Sequence, residues 1–335
     1  MNMKKISAIM AAAMMTAAML AGCGAEGAEN SDITAEESFL SQQENAENPV
    51  TFTDSLGRSV TVASPERTAV FTGSYADIWQ LAGGTVFAST EDAFDGRLYT
   101  LPEDTLNIGS MSAPSLEMLI ENDVDFIILS SNVQENITFD ETLDSVGINH
   151  AYFQVESFDE YLDMLKVCTD ITGRADLYEK NGEALSNEIE EYIAEAQKCE
   201  PKTVLFMKAF STNVKARNSD NMTGKMLSDM NFVKRKRISI NIADLEPSLL
   251  EDLSVEKIIE QDPDFIFITT MGSDEEKAIK SYEDILASNP AWNDLTAVKE
   301  GRCIFLSKQL FHYKPNARWG EAYKTLLEYI SDDEA

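Results

Sequence analysis

Two glutamates stand in matching settings 139 residues apart. Glu117 lies near the start of SLEMLIENDVDFIILSS (Ser115 to Ser131) and Glu256 near the start of SVEKIIEQDPDFIFITT (Ser254 to Thr270). The stretches agree at eight of seventeen positions without a gap. Serine is a favoured helix N-cap, and a carboxylate two positions on lies in the first turn, where the helix dipole favours negative charge. Such a pair offers two fixed anionic points on a surface. The plainer alternative is helix-start stabilisation of about 0.3–1 kcal/mol each. Glu121 and Glu260 recur one turn further on and are weaker candidates for the same role.

A second concentration of chemistry is KQLFHYKPNARWG (Lys308 to Gly320), which gathers Lys308, His312, Tyr313, Lys314, Arg318 and Trp319 in a chain of net charge −31. Cations beside aromatic rings attract anions by charge and flat ligands by stacking. The alternative is a structural turn with Tyr313 and Trp319 in the core. KRKR (Lys234 to Arg237) is an isolated basic run in acidic surroundings and reads first as a solvated loop. The acidic balance argues against nucleic acid, which needs a basic footprint.

Catalytic motifs are missing from the sequence. TGSYA (Thr72 to Ala76) falls short of G-x-S-x-G, and neither a P-loop nor a G-x-G-x-x-G follows a strand. Two histidines do not make a Zn²⁺ or Mn²⁺ receptor, which gathers several imidazoles and carboxylates. No catalytic residue, metal site or resident cofactor is assigned.

The elements that must hold these groups follow from hydrophobic period. Val50 to Val62 alternates on both sides of Ser55-Leu56-Gly57, a hairpin pattern. Apolar strands at 68–72, 85–89, 125–130 and 150–154 then alternate with helical stretches, which predicts a parallel sheet covered by helices. From Phe158 the period is helical. Phe158, Leu162, Leu165 and Thr169 share one face up to Thr172-Gly173. A second helix carries Leu177, Asn181, Ala184, Leu185, Ile189, Tyr192 and Ala196 on one stripe, stopping before Pro201. About 25 helical residues span some 37 Å, long enough to bridge two lobes. Strands at 203–208, 264–269 and 303–307 and a helix at 321–330 rebuild the alternation. The expected fold class is α/β: two lobes with mainly parallel sheets joined by a single long helix. The expected boundaries are a lobe at 49–173, a linking helix at 174–199 and a lobe at 200–335.

A helix covering a parallel sheet runs antiparallel to its strands. Its N-terminus therefore lies at their carboxyl ends, where open α/β sheets bind ligands. That places Glu117 and Glu256 near a rim. Residues after strand ends become candidate ligand contacts: Tyr75, Ser110, Met111, Ser131 and Asn132 in the first lobe, and Lys208, Phe210 and Arg217 in the second. His312, Tyr313, Lys314 and Arg318 join them from the cationic loop.

The N-terminus reads as a processing signal. Lys4 and Lys5 precede an apolar run from Ile6 to Leu20, shorter than the ~20 residues of a membrane span. Leu20-Ala21-Gly22-Cys23 resembles the bacterial lipobox, so residues 1–22 are expected to be removed and Cys23 diacylated; an ordinary signal peptide is the alternative. Residues 23–48 are too poor in apolar groups to fold and read as a tether. Cys168, Cys199 and Cys303 are odd in number and widely spaced, which rules out a complete disulfide framework.

Four segments together resemble the substrate-binding lipoproteins of ABC importers that carry ferric siderophores, haem or cobalamin. They are VTFTDSLGRSVTVASPERTAVF (Val50 to Phe71), SLEMLIENDVDFIIL, SVEKIIEQDPDFIFI, and NPAWNDLTAVKEGRCIFL (Asn289 to Leu306). Val124 departs from the pattern, which has proline there. The resemblance implies a ligand held between two lobes and a lipid-anchored monomer on the outer face of the cell membrane. It also implies that Glu117 and Glu256 pair with arginines on a permease dimer. A cationic, aromatic cleft suits an anionic ferric chelate, and His312 or Tyr313 would be an axial ligand if the cargo were haem. The rival readings are a secreted α/β hydrolase-type enzyme and a surface adhesin lipoprotein.

Overall fold

The structure is a computed structural model and describes residues 49–95, 99–230 and 241–332. The signal segment, Cys23, the tether and the KRKR run lie outside the described residues.

The opening hairpin pairs β1 (Val50–Thr53) with β2 (Ser59–Val62), antiparallel, Val50 opposite Val62. Its turn uses Gly57 at φ 80°, a conformation that costs glycine no Cβ clash. The first sheet is entirely parallel, with strand order β5-β4-β3-β8-β9. Its strands are β3 (Thr68–Val70), β4 (Val86–Ser89), β5 (Leu106–Asn107), β8 (Phe126–Ser130) and β9 (Asn149–Phe153). A small antiparallel pair, β6 (Gly109–Ser110) and β7 (Ala113–Pro114), precedes the first repeat. The second sheet has the order β11-β10-β12-β13, with β10 (Val204–Ala209), β12 (Phe265–Thr270) and β13 (Cys303–Phe305) parallel. The edge strand β11 (Val214–Arg217) is antiparallel to β10.

Between the sheets the chain runs through a helix Phe158–Thr172, ended by Gly173 at φ 70°, and a long helical stretch from Ala175 to Ala196. The long stretch contains a π turn, Glu179–Glu183. One π turn inserts an extra residue and rotates everything after it. Of the expected apolar stripe, Leu185, Ile189 and Ala196 are buried, Leu177, Asn181 and Tyr192 are partly buried, and Ala184, directly after the π turn, is exposed. The C-terminal helix Trp319–Asp332 packs along Ala184–Ala196. Gly320 permits the close approach, because a Cβ there would meet Glu188 Oε2 at 2.6 Å.

The largest core cluster belongs to both halves. Trp79 and Phe126 from the first, Phe206 and Phe267 from the second, and Leu185, Ile189, Trp319 and Leu326 from the connecting helices form one buried group. Alternate strand residues face separate cores on the outer sides: Ile127 and Leu129 in one, Leu205, Met207, Ile266 and Ile268 in the other. Each sheet is thus covered on both faces, as parallel sheets require.

The repeated stretches fold alike. Ser115 caps Leu116–Glu121, accepting from Met118 N at 3.3 Å, and Ser254 caps Val255–Gln261, accepting from Lys257 N at 3.4 Å. Asp123 and Asp262 leave the two helices with φ of 51° and 38°. Asp125 then accepts from Glu66 N and Arg67 N at 2.8 and 3.0 Å, just before β3. Asp264 accepts from Thr203 N and Oγ1, both at 2.7 Å, just before β10. In each half the repeat's last aspartate ties the start of its own strand to the start of the neighbouring one. Val124 N donates to Leu119 O at 3.0 Å, a bond that the proline at the equivalent Pro263 cannot make.

Candidate functional site

Strand alternation sets the first members of the site. Phe206 and Lys208 lie on one face of β10, opposite Arg217 and Lys215 of β11 respectively. Phe206 enters the shared core, so Lys208 and Arg217 project from the inner face of the second sheet, Lys208 next to the carboxyl end of β10 and Arg217 level with Phe206. Lys208 also lies beside Thr269 of β12. Burial lowers the Lys208 ammonium below its usual range; Arg217 and Lys314 repel its charge further, and Glu156 opposes them. The Arg217 Nε and Thr269 Oγ1 atoms are buried with no hydrogen-bond partner among the described residues. Buried polar atoms are normally satisfied, so such a pair marks a place that a ligand or solvent completes.

The first half contributes from the carboxyl ends of β8 and β9. Asn132 Nδ2 donates to Glu156 Oε1 at 2.9 Å, and Lys314 Nζ donates to the same oxygen at 2.7 Å. Both ends of the Lys314–Glu156 ion pair are largely sheltered, with side chains 18% and 30% exposed. Ser131 Oγ donates to Phe153 O at 3.2 Å. Five groups therefore converge: Asn132, Glu156, Lys208, Arg217 and Lys314. Glu156 was not among the residues expected from sequence. It follows β9 by three positions, so the strand-end rule that selected Ser131 and Asn132 would have found it.

The other candidates divide. Tyr75 is a core residue, 1% exposed, with its hydroxyl 3.4 Å from Ser130 Oγ and donating to Phe153 O at 3.2 Å. It supports the strand ends from below and offers no surface. Arg318 is held by Glu321 through two bonds of 2.7 and 2.8 Å and by Gln309 at 3.1 Å. It closes the start of the C-terminal helix and stands apart from the cation cluster. Trp319 is fully buried, so the core alternative holds for that ring. Tyr313 is half-buried, its ring 5.0 Å from that of His312 and 5.7 Å from Lys308 Nζ. It lines a cavity of about 50 Å³ with Gly73, Ser74, Asp92 and Tyr99 of the first half. Met111 accepts from Asn136 Nδ2 at 3.2 Å through its carbonyl; Ser110 precedes it on β6, and Phe210 lies in the turn after β10.

A larger cavity of about 440 Å³ lies along the linking helix, lined by Ser157, Asp159, Glu190, Lys225, Asp229 and Tyr323 among others. Three carboxylates face one lysine there, the wrong balance for an anion. Among the described residues no group of three or more His, Cys, Asp or Glu could hold a metal ion. Cys168, Cys199 and Cys303 form no disulfide with one another.

The loop that carries Lys314 is fixed by Asn316. This residue is fully buried at φ 50° and donates from Nδ2 to Ser74 O and Asp77 Oδ2, both at 2.8 Å. Burial raises the Asp77 carboxyl to about 6, against which the Asn316 bond acts. A carboxyl raised above its unfolded value favours the fold while protonated. That contribution is complete below about pH 4 and is lost as pH rises through 6, worth about 3 kcal/mol in all. Asp77→Asn is therefore expected to remove this loss and raise stability at pH 7.5 by about 2 kcal/mol. Urea unfolding at pH 4.5 and 7.5 checks it; an unchanged pH slope in the variant would count against the assignment.

Glu117 and Glu256 are both exposed in the first turns of their helices. Ser115 N donates to Ile108 O at 2.7 Å, and Ile108 N donates to Ser89 O at 3.0 Å, at the carboxyl end of β4. The first of the two helices thus starts at the carboxyl edge of its sheet. Glu256 is held below the usual carboxylate range by its own backbone N–H and by Ser254, whose hydroxyl donates at 3.1 Å. Neither glutamate forms an ion pair among the described residues.

Comparison with known proteins came to three findings. A family model described as periplasmic binding protein matches residues 69–310. No curated protein sequence matches the chain. Several solved structures share the fold. Staphylococcus aureus SirA complexed with staphyloferrin B is 17% identical with a TM-score of 0.60, over 84% of this chain and 96% of that one. The periplasmic heme-binding protein RhuT from Roseiflexus sp. RS-1 is 20% identical with a TM-score of 0.61, over 80% and 98%. The periplasmic catecholate-siderophore binding protein VctP from Vibrio cholerae is 14% identical with a TM-score of 0.63, over 84% and 100%.

Proposed function

The chain belongs to the periplasmic binding protein family, and on that premise we propose that it is the extracytoplasmic solute-binding component of an ABC importer, with an iron complex as its cargo. The cargo is a ferric siderophore, bound where the two sheets present their carboxyl ends, and is handed to a permease dimer. Haem and cobalamin are the alternative cargoes. In this reading the protein binds and releases without turnover and holds no resident cofactor. It is tethered as a monomer to the outer face of the cell membrane through a lipid on Cys23.

The observation that carries the reading is the cation cluster. Lys208, Arg217 and Lys314 converge in a chain of net charge −31, and among the described residues Glu156 acts on Lys208 against the other two cations. A desolvated ammonium beside two further cations is unfavourable unless an anion arrives to compensate it. Anionic ferric chelates supply that charge and planar ligand arms. Solved structures of the same fold that carry staphyloferrin B, and others described as heme- or catecholate-siderophore-binding, support the choice of cargo class. Hydrolase and adhesin functions have no comparable feature in their favour.

Quenching of Trp79, Trp292 and Trp319 fluorescence tests the proposal, using the purified mature chain against ferric siderophores, haem and cobalamin. At least one ferric siderophore is expected to bind below ~10 μM, near −7 kcal/mol. Failure of the whole panel would remove the iron-complex assignment.

A further inference from the structure

The cation cluster contains an anion of its own. Glu156 Oε1 accepts from Lys314 Nζ at 2.7 Å and from Asn132 Nδ2 at 2.9 Å, so one carboxylate oxygen joins the last part of the chain to the first sheet's edge. Its neighbour Glu160 is committed elsewhere: its carboxylate accepts from Gln154 Nε2 at 3.1 Å and from the Glu156 backbone N–H. Among the described residues three cations therefore meet the Glu156 carboxylate, and Arg217 Nε has no hydrogen-bond partner there. The arrangement on Glu156, two donors on one oxygen beside further cations, is what an anionic ligand group would itself require.

We propose that Glu156 is an internal counter-ion that occupies the Asn132–Lys314 donors until the anionic group of the ligand displaces it. The inference rests on the binding reading above and adds a regulatory element to that site. The carboxylate keeps the cations from repelling one another in the empty protein. It also sets an affinity threshold, because a ligand must outcompete it. Weakly charged or neutral molecules cannot, so Glu156 selects for multiply charged anions as well as lowering affinity for them. After displacement the Glu156 carboxylate turns to solvent, which its 30% exposure allows without unfolding the helix that follows.

The test compares the wild-type mature chain with Glu156→Gln, a change that keeps shape and the hydrogen-bonding oxygen while removing the charge. Two probes are titrated by calorimetry at fixed ionic strength: the ferric tris(catecholate) trianion and inorganic sulfate. Glu156→Gln is expected to bind both at least tenfold more tightly than wild type. In a Lys314→Met background the gain should shrink below twofold, since the competing pair is already broken. Tighter sulfate binding by Glu156→Gln, with no binding of the ferric probe by either protein, would sustain the counter-ion and rule out a ferric tris(catecholate) as the cargo. Micromolar binding of the ferric probe by wild type, with no gain in Glu156→Gln, would overturn the counter-ion and leave the cargo standing. No gain with either probe overturns the inference, whether or not wild type binds them.

Discussion

Cells whose only copy of the protein carries Glu117→Ala with Glu256→Ala are expected to lose uptake of the cargo by a hundredfold or more, while the purified double variant keeps its ligand affinity within twofold. Both glutamates are exposed, both begin short helices capped by serine, and neither has an ion-pair partner among the described residues. An exposed carboxylate costs little to remove from the fold, so the variant should remain folded. Across an interface the balance differs. Truncating one partner of a buried, hydrogen-bonded charge pair costs about 2–5 kcal/mol, so two such losses exceed what transport could tolerate. Each single variant should retain partial uptake, because the repeat supplies one anionic point per half. Competition for permease-containing vesicles provides the direct reading. Equal loss of ligand binding and uptake would assign the glutamates to the ligand site instead of docking.

Lys208→Met is expected to weaken binding of an anionic ferric chelate by about 10- to 100-fold, the range for losing one hydrogen bond to a charged group at 1.5–3 kcal/mol. The same variant should be more stable than wild type. Lys208 is partly desolvated, and Arg217 and Lys314 repel it. Methionine keeps the length of the stem and removes that repulsion. Opposite signs for affinity and stability distinguish a ligand-binding cation from a structural one. Thermal unfolding and titration of the same preparation provide both readings. A variant that is less stable and binds equally well would place Lys208 in the scaffold.

The fold was visible in sequence wherever burial imposes a period. The alternation of apolar strands with helical stripes marked both sheets, and Gly57 and Gly173 marked two turnings of the chain. The two-residue strands β5 to β7 were too short for any pattern, and β11 shows only Val214 and Ala216, facing the outer core and alternating with Lys215 and Arg217. The π turn at Glu179–Glu183 carries no sequence signature that separates it from ordinary helix; Ala184, directly after it, is the one residue of the expected stripe that is exposed. Site residues were legible through position and not through identity. Lys208, Arg217 and Lys314 were singled out by strand ends and by the cationic loop, and the structure brings them into one neighbourhood. Tyr75 shares that placement, yet its ring is buried, because a tyrosine reads alike in sequence whether its hydroxyl meets ligand or backbone. Arg318 had its partner in plain view: Glu321, three residues on, at the right spacing for an intrahelical pair. Glu156 was within reach of the same strand-end rule, three positions after β9, but its pairing with Lys314, 158 residues away, was not legible.

Charge dependence of binding tests the central claim most directly. The purified mature chain is titrated with two ferric chelates of similar size, the tris(catecholate) trianion and an uncharged tris(hydroxamate). The cation cluster of Lys208, Arg217 and Lys314 predicts binding of the trianion below about 10 μM and of the neutral chelate at least tenfold more weakly, with added salt narrowing the difference. Equal affinities for the two, or binding of neither, would contradict it.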